Sequence, residues 1–145
     1  MDRISTLAPS PFPGSAIFAR WQRRYRAQVP VNGKLVEIEW SGAAQQALAR
    51  RSLPLTLELE LYFSCLVKKF VHFHETVPER ETVAVNEQLR LLFRPVTSTA
   101  CSMESAERLG RQPEMDLQGP VARKLAPRRV WLDHRRGHWQ AEYWL

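Results

Sequence analysis

The sequence predicts an α+β fold: a mainly antiparallel sheet of about six strands in the order ββ-α-ββ-α-ββ, with two short helices. Three observations predict it. Apolar and polar residues alternate over several stretches, Gly-containing turn dipeptides separate the first and last pairs of these, and short helical patterns lie between them. A chain of 145 residues is about one domain. With 44% hydrophobic and 25% charged residues it has a globular balance, which excludes a wholly disordered protein.

The elements follow in chain order. Residues 1–19 carry Pro9, Pro11, Pro13 and Gly14 and read as a flexible arm before a single domain over 20–145. Asn32-Gly33 is a strong hairpin signal, because a type I′ turn needs positive φ at both central residues. Pairing Val31 with Lys34 then sets Val29 against Val36, Ala27 against Ile38 and Tyr25 against Trp40 on one side. The other side joins Gln28 to Glu37 and Arg26 to Glu39, so turn chemistry and alternation agree on one register. Ser41 is placed to cap a helix over 43–51, whose last turn holds Arg50 and Arg51, and Pro54 stops it.

From Leu55 to His74 the period is 2, with Leu55, Leu57, Leu59, Leu61, Phe63, Cys65, Val67, Val71 and Phe73 on one face. This reads as one unusually long strand, bent or bulged near Lys68-Lys69. A second alternating run over 83–94 is expected to pair with it antiparallel. Val71 then faces Val85, and Lys69 neutralises Glu87, each being the charged interruption of its apolar stripe. Ser102 is placed to cap a helix over 103–109, and 111–127 reads as a loop or lid. Aligning apolar faces makes the C-terminus a hairpin around Arg136-Gly137. It pairs Val130 with Tyr143, Leu132 with Ala141, His134 with Trp139, Arg129 with Trp144, Trp131 with Glu142 and Arg135 with His138.

The compartment expected is the cytoplasm. The first residues lack the apolar core of a secretory signal, and two cysteines are too few for a disulfide framework, so both thiols are expected free; Cys65, in the apolar stripe, is expected buried. The longest apolar stretch, Leu53–Phe73, holds Glu58, Glu60, Lys68 and Lys69, too many charges for a membrane span.

Charge gives the leading functional reading. There are 21 Lys+Arg against 15 Asp+Glu, and 17 of the 21 are arginine. The guanidinium fork matches phosphate and stacks on rings. Arg20, Trp21, Arg23, Arg24 and Arg26 at one end, and Arg128, Arg129, Trp131, Arg135 and Arg136 at the other, suit a polyanion such as single-stranded nucleic acid. Tyr25 and Trp139 belong to apolar faces, which leaves Trp21 and Trp131 for stacking. The rival is a protein-interaction module or homodimer, since five tryptophans and many arginines also suit an interface.

A third reading is a small enzyme or metal protein built on the polar face of the long strands. That face carries Glu58, Glu60, Tyr62, His72, His74, Arg90 and Arg94, with Glu60 as a base and Arg94 as an anion anchor. His72 and His74 share a side two residues apart, but no adjacent motif completes a zinc set, so no metal and no cofactor is assigned. No Gly-rich phosphate loop, Gly-x-Ser-x-Gly elbow or zincin motif occurs, and no residue is assigned as catalytic.

Overall fold

The computed structural model describes residues 23–98, 114–117 and 120–145. The strands are β1 (Arg24–Val31), β2 (Lys34–Ser41), β3 (Leu55–Phe63), β4 (Val67–His74), β5 (Val83–Ala84), β6 (Leu89–Ser98), β7 (Glu114–Asp116), β8 (Arg129–Arg135) and β9 (His138–Trp144). The helices are α1 (Gly42–Ala49) and α2 (Pro120–Lys124). Two sheets form. The first has four strands in the order β1-β2-β8-β9, and the second has five, β4-β3-β6-β5 with β7 also on β6.

This corrects the α+β expectation of one six-stranded ββ-α-ββ-α-ββ sheet. Among the described residues the fold is mostly β, with 58% in strands, two sheets and two short helices. One hydrophobic core lies between the sheets. Val36, Ile38, Val130, Leu132 and Tyr143 of the first meet Leu55, Leu57, Leu59, Leu61, Leu89 and Leu91 of the second. Each sheet buries the apolar side of its alternation, so the hydrophobic effect pairs the sheets face to face.

The outer hairpins form in the predicted registers. Asn32 and Gly33 have φ of 52° and 80°, Arg136 and Gly137 have 54° and 78°, and every predicted pair in both ladders is present. Ser41 caps α1, accepting from the Ala44 amide at 3.0 Å. The helix ends at Ala49 rather than Arg51, which leaves Arg50 as its C-cap.

The central region departs from the prediction. The long run over 55–74 is a hairpin, β3 with β4, in which Leu59 faces Val71 and Glu58 faces His72. Its turn, Ser64–Leu66, contains neither Gly nor Pro, and three residues of turn leave the alternation in phase, so nothing in the pattern marks the reversal. The second run folds back too, with Val83 facing Leu91. β6 then pairs with β3 in parallel, Leu59 beside Phe93 and Glu60 beside Arg94. Lys69 therefore does not meet Glu87. It faces Leu61, and its Nζ donates to the Tyr143 carbonyl of the other sheet at 2.8 Å.

Cys65 is exposed at the turn and disulfide-bonded rather than buried and free, which removes the cysteine argument for a reducing compartment. The other cysteine, Cys101, and the helix expected over 103–109 lie outside the described residues. Within 111–127, β7 pairs with the end of β6, and α2 starts at Pro120, where the missing N–H costs nothing. Among the described residues no helix is long and apolar enough to cross a membrane.

The hairpin assignment makes two residues of one sequence stripe behave differently. Leu59 is 1% exposed and Val67 58% exposed. Leu59→Ala is expected to cost about 2–5 kcal/mol of stability, and Val67→Ala to stay within about 0.5 kcal/mol. Urea unfolding of both variants checks this.

Candidate functional site

The outer face of the first sheet carries Arg24 and Arg26 from β1, Glu39 and Ser41 from β2, and Arg129, Trp131, Asp133 and Arg135 from β8. Each alternates with a residue of the core face. The order β1-β2-β8 sets Arg24 near Trp131, with the guanidinium carbon 5.0 Å from the ring centroid. Arg129 lies over Trp144 in the same manner, at 5.4 Å. Where β1 enters and β8 ends, a cleft of about 900 Å³ is lined by Arg23, Arg24, Arg50, Trp131, Arg135 and Arg136, with Ser41, Asp133 and His134 among its polar residues.

Two acidic groups sit beneath this surface. Glu39 is buried, 3.4 Å from both Arg26 and Arg129 and 4.0 Å from Arg24, so one carboxylate is shared by three guanidiniums. Asp133 accepts from Ser41 Oγ at 2.5 Å, from the His134 amide at 2.8 Å and from Arg135 Nε at 2.7 Å. Burial pushes the Asp133 carboxyl up, but the hydrogen bonds from Ser41 and His134 and the Arg135 charge outweigh it, and the group lies below the usual carboxylate range. Among the described residues Arg23, Arg50 and Arg136 have no ion pair.

Of the predicted basic and aromatic residues, Arg23, Arg24, Trp131, Arg135 and Arg136 meet at the cleft, with Arg26 and Arg129 beside it. Arg128, just before β8, is bonded to the Leu145 carbonyl at 2.9 Å and does not line the cleft. Arg20 and Trp21 lie outside the described residues. Arg50 and Trp144 were not among the predicted site residues. Arg50 was counted only as a helix-end cation, and Trp144, 39% exposed, only as a ladder partner of Arg129.

The second candidate site is the face of the second sheet turned away from the core. It is not the solvated face that alternation suggests. Thr56, Glu58, Glu60 and Tyr62 are all buried, at 0, 6, 1 and 5% exposure. The β3–β4 register brings His74 Nε2 to Glu58 Oε1 at 2.8 Å and His72 Nε2 to Glu60 Oε1 at 3.1 Å. From β6, Arg94 reaches Glu58 Oε2 at 3.3 Å and Asp116 Oδ1 at 3.0 Å, and Arg80 also bonds Asp116. Burial works against the Arg94 charge, but Asp116 and Glu58 more than compensate and hold its pKa above the ordinary value. Arg94 is thus engaged by the carboxylates of Glu58 and Asp116. Arg90 bonds both the side chain and the carbonyl of Thr82 and stands apart from the carboxylates, and Tyr62 lies beyond Glu60 between Lys68 and Val96.

No protein-family model, curated protein or solved structure matches this chain.

The Asp133 environment has a pH signature. Its folded pKa lies below the ordinary 3.8, so its contribution is full above that value and is lost as pH falls through the folded pKa. Asp133→Asn is expected to lose about 1–3 kcal/mol at neutral pH. The gap from the parent protein should close as pH falls below 3.8. Denaturant unfolding of both proteins between pH 7 and pH 2 measures the gap.

Proposed function

We propose that the protein is a non-catalytic binding module whose arginine-rich cleft and adjoining sheet face engage a polyanion, with single-stranded nucleic acid as the occupant. The observation that carries this reading is the meeting of two segments more than a hundred residues apart: Arg23 and Arg24 line one cleft with Trp131, Arg135 and Arg136, and the Arg24 guanidinium carbon lies over the Trp131 ring. Among the described residues five arginines line the cleft against a single carboxylate, Asp133, which already accepts three hydrogen bonds.

The chemistry of these groups supports phosphate together with planar bases. A guanidinium presents up to five N–H donors in a fork that a phosphate accepts in pairs. Trp131 is half-buried and lines the cleft. A guanidinium plane, like an aromatic ring, is a surface on which a base can stack. Arg23, Arg50 and Arg136, free of ion pairs among the described residues, are the cations available to neutralise phosphates without breaking an internal pair. Arg26 and Arg129 act through Glu39, which holds their guanidiniums at the surface beside the cleft.

Binding of a labelled single-stranded oligonucleotide, followed by filter retention from 50 to 300 mM salt, is expected to weaken linearly in log–log form, by roughly 0.7 per phosphate neutralised. Arg23→Gln and Arg50→Gln should each reduce the slope by about 0.7. Trp131→Ala should weaken binding about tenfold or more at every salt concentration, the cost of one lost stacking platform. No retention at 50 mM salt, or an affinity that salt does not change, removes the proposal. Sedimentation as a tight dimer with the arginines covered would favour the interaction-module reading instead.

A further inference from the structure

From the polar face of the second sheet we infer a divalent transition-metal site, with Glu58, Glu60 and His72 as ligands and His74 as the fourth. This site lies on a different sheet from the arginine cleft and does not depend on it. One ligand atom from each of Glu58, Glu60 and His72 lies within 4.8 Å of the others. A zinc ion with bonds of about 2.1 Å brings tetrahedral ligands to roughly 3.4 Å from one another, so small side-chain rotations close the set. His74 already touches Glu58 Oε1 at 2.8 Å, which places the second imidazole at the edge of the same group.

The strand geometry explains the convergence. Glu58 and Glu60 are two apart on β3, and His72 and His74 are two apart on β4, so all four side chains leave one face of one hairpin. Glu58 is directly opposite His72, which puts both carboxylates and both imidazoles within one step of the ladder. Such a mixed N₂O₂ set suits zinc or cobalt(II), whereas magnesium and calcium prefer oxygen alone.

Three further observations point to a ligand rather than to two isolated histidine–glutamate pairs. Thr56 Oγ1 is completely buried on this same face, opposite His74, and has no hydrogen-bond partner among the described residues. A buried hydroxyl left unpaired is costly, and a water added as a fifth ligand would supply its partner. Arg94 holds Glu58 Oε2 from the neighbouring strand, leaving Oε1 toward the histidines, the outer-shell arrangement that orients ligating carboxylates. Finally, the carboxylates are almost fully buried while the His72 and His74 side chains are 39% and 36% exposed, so the imidazoles form the solvent-facing side through which an ion reaches the site.

The test uses the full chain without a histidine tag, stripped with chelator and titrated with zinc and separately with cobalt(II). The expected result is one equivalent bound per chain, a rise in unfolding temperature, and visible cobalt absorption of a low-coordinate N/O site. His72→Asn and His74→Asn, at positions more than a third exposed, should fold normally and each weaken zinc binding at least tenfold. The control His134→Asn/His138→Asn, on the other sheet, should bind as the parent protein does. Absence of zinc uptake by the parent protein overturns the inference, and so does unchanged affinity in a His72→Asn/His74→Asn double variant. The cobalt spectrum keeps the test decisive if a variant is poorly folded, because it reads the unaltered chain.

Discussion

The parallel pairing of β2 with β8 is the contact on which the architecture depends. It joins Glu37–Trp40 to Arg129–Leu132, segments about 90 residues apart in sequence, and turns two separate hairpins into one sheet. Closing so long a loop carries an entropic penalty that grows only slowly with length, and burial at the seam opposes it. Val36, Ile38, Val130 and Leu132 are all fully buried there. Polar groups secure the same seam on the outer side, where Ser41 Oγ both caps α1 and donates to Asp133 on β8. The cleft is a direct product of this pairing, because only β2 separates Arg24 from Trp131.

Both sheets also bury charge on their outer faces, and each does so under the same rule. A carboxylate removed from water must recover its hydrogen bonds and its counter-charge from the protein. Glu39 does so from three arginines, Asp133 from a hydroxyl, an amide and Arg135, and Glu58 from His74 and Arg94. The partners differ in what they leave available. The guanidiniums around Glu39 outnumber it and face solvent, so a net positive surface remains. The imidazoles beside Glu58 and Glu60 carry lone pairs as well as protons, and this makes that face a candidate for coordination rather than for anion binding.

How much was legible in the sequence divides along physical lines. Asn32-Gly33 and Arg136-Gly137 mark turns whose left-handed residues are rare elsewhere, and alternation on either side then admits one register. Ser64-Cys65-Leu66 reverses the chain with no such residue and without shifting phase, so β3 and β4 read as one strand. Parallel neighbours leave no local mark at all, because alternation specifies a face and not a partner; β3 beside β6 and β2 beside β8 were therefore invisible. The cleft was legible as a set of residue types, Arg and Trp at both ends of the chain, and illegible as a place. The glutamates and histidines of the second site were each identified on a polar face, but their convergence needs the β3–β4 hairpin that the pattern concealed.

The two outer sites face away from each other across the shared core, and what links them is a small set of bonds between the sheets. Tyr143, fully buried on β9, donates its hydroxyl to the Glu60 carbonyl, and Lys69 on β4 donates to the Tyr143 carbonyl. Burial, and then the nearby Glu60 carboxylate, push the Tyr143 phenol well above its ordinary pKa, so it stays a neutral donor throughout the pH range in which proteins fold. The backbone of the strand bearing Glu58 and Glu60 is thus bonded from the core side at the Glu60 carbonyl, while both carboxylates lie on the opposite face. The two proposals also rest on different strands, β3 and β4 for the ion and β1, β2 and β8 for the cleft.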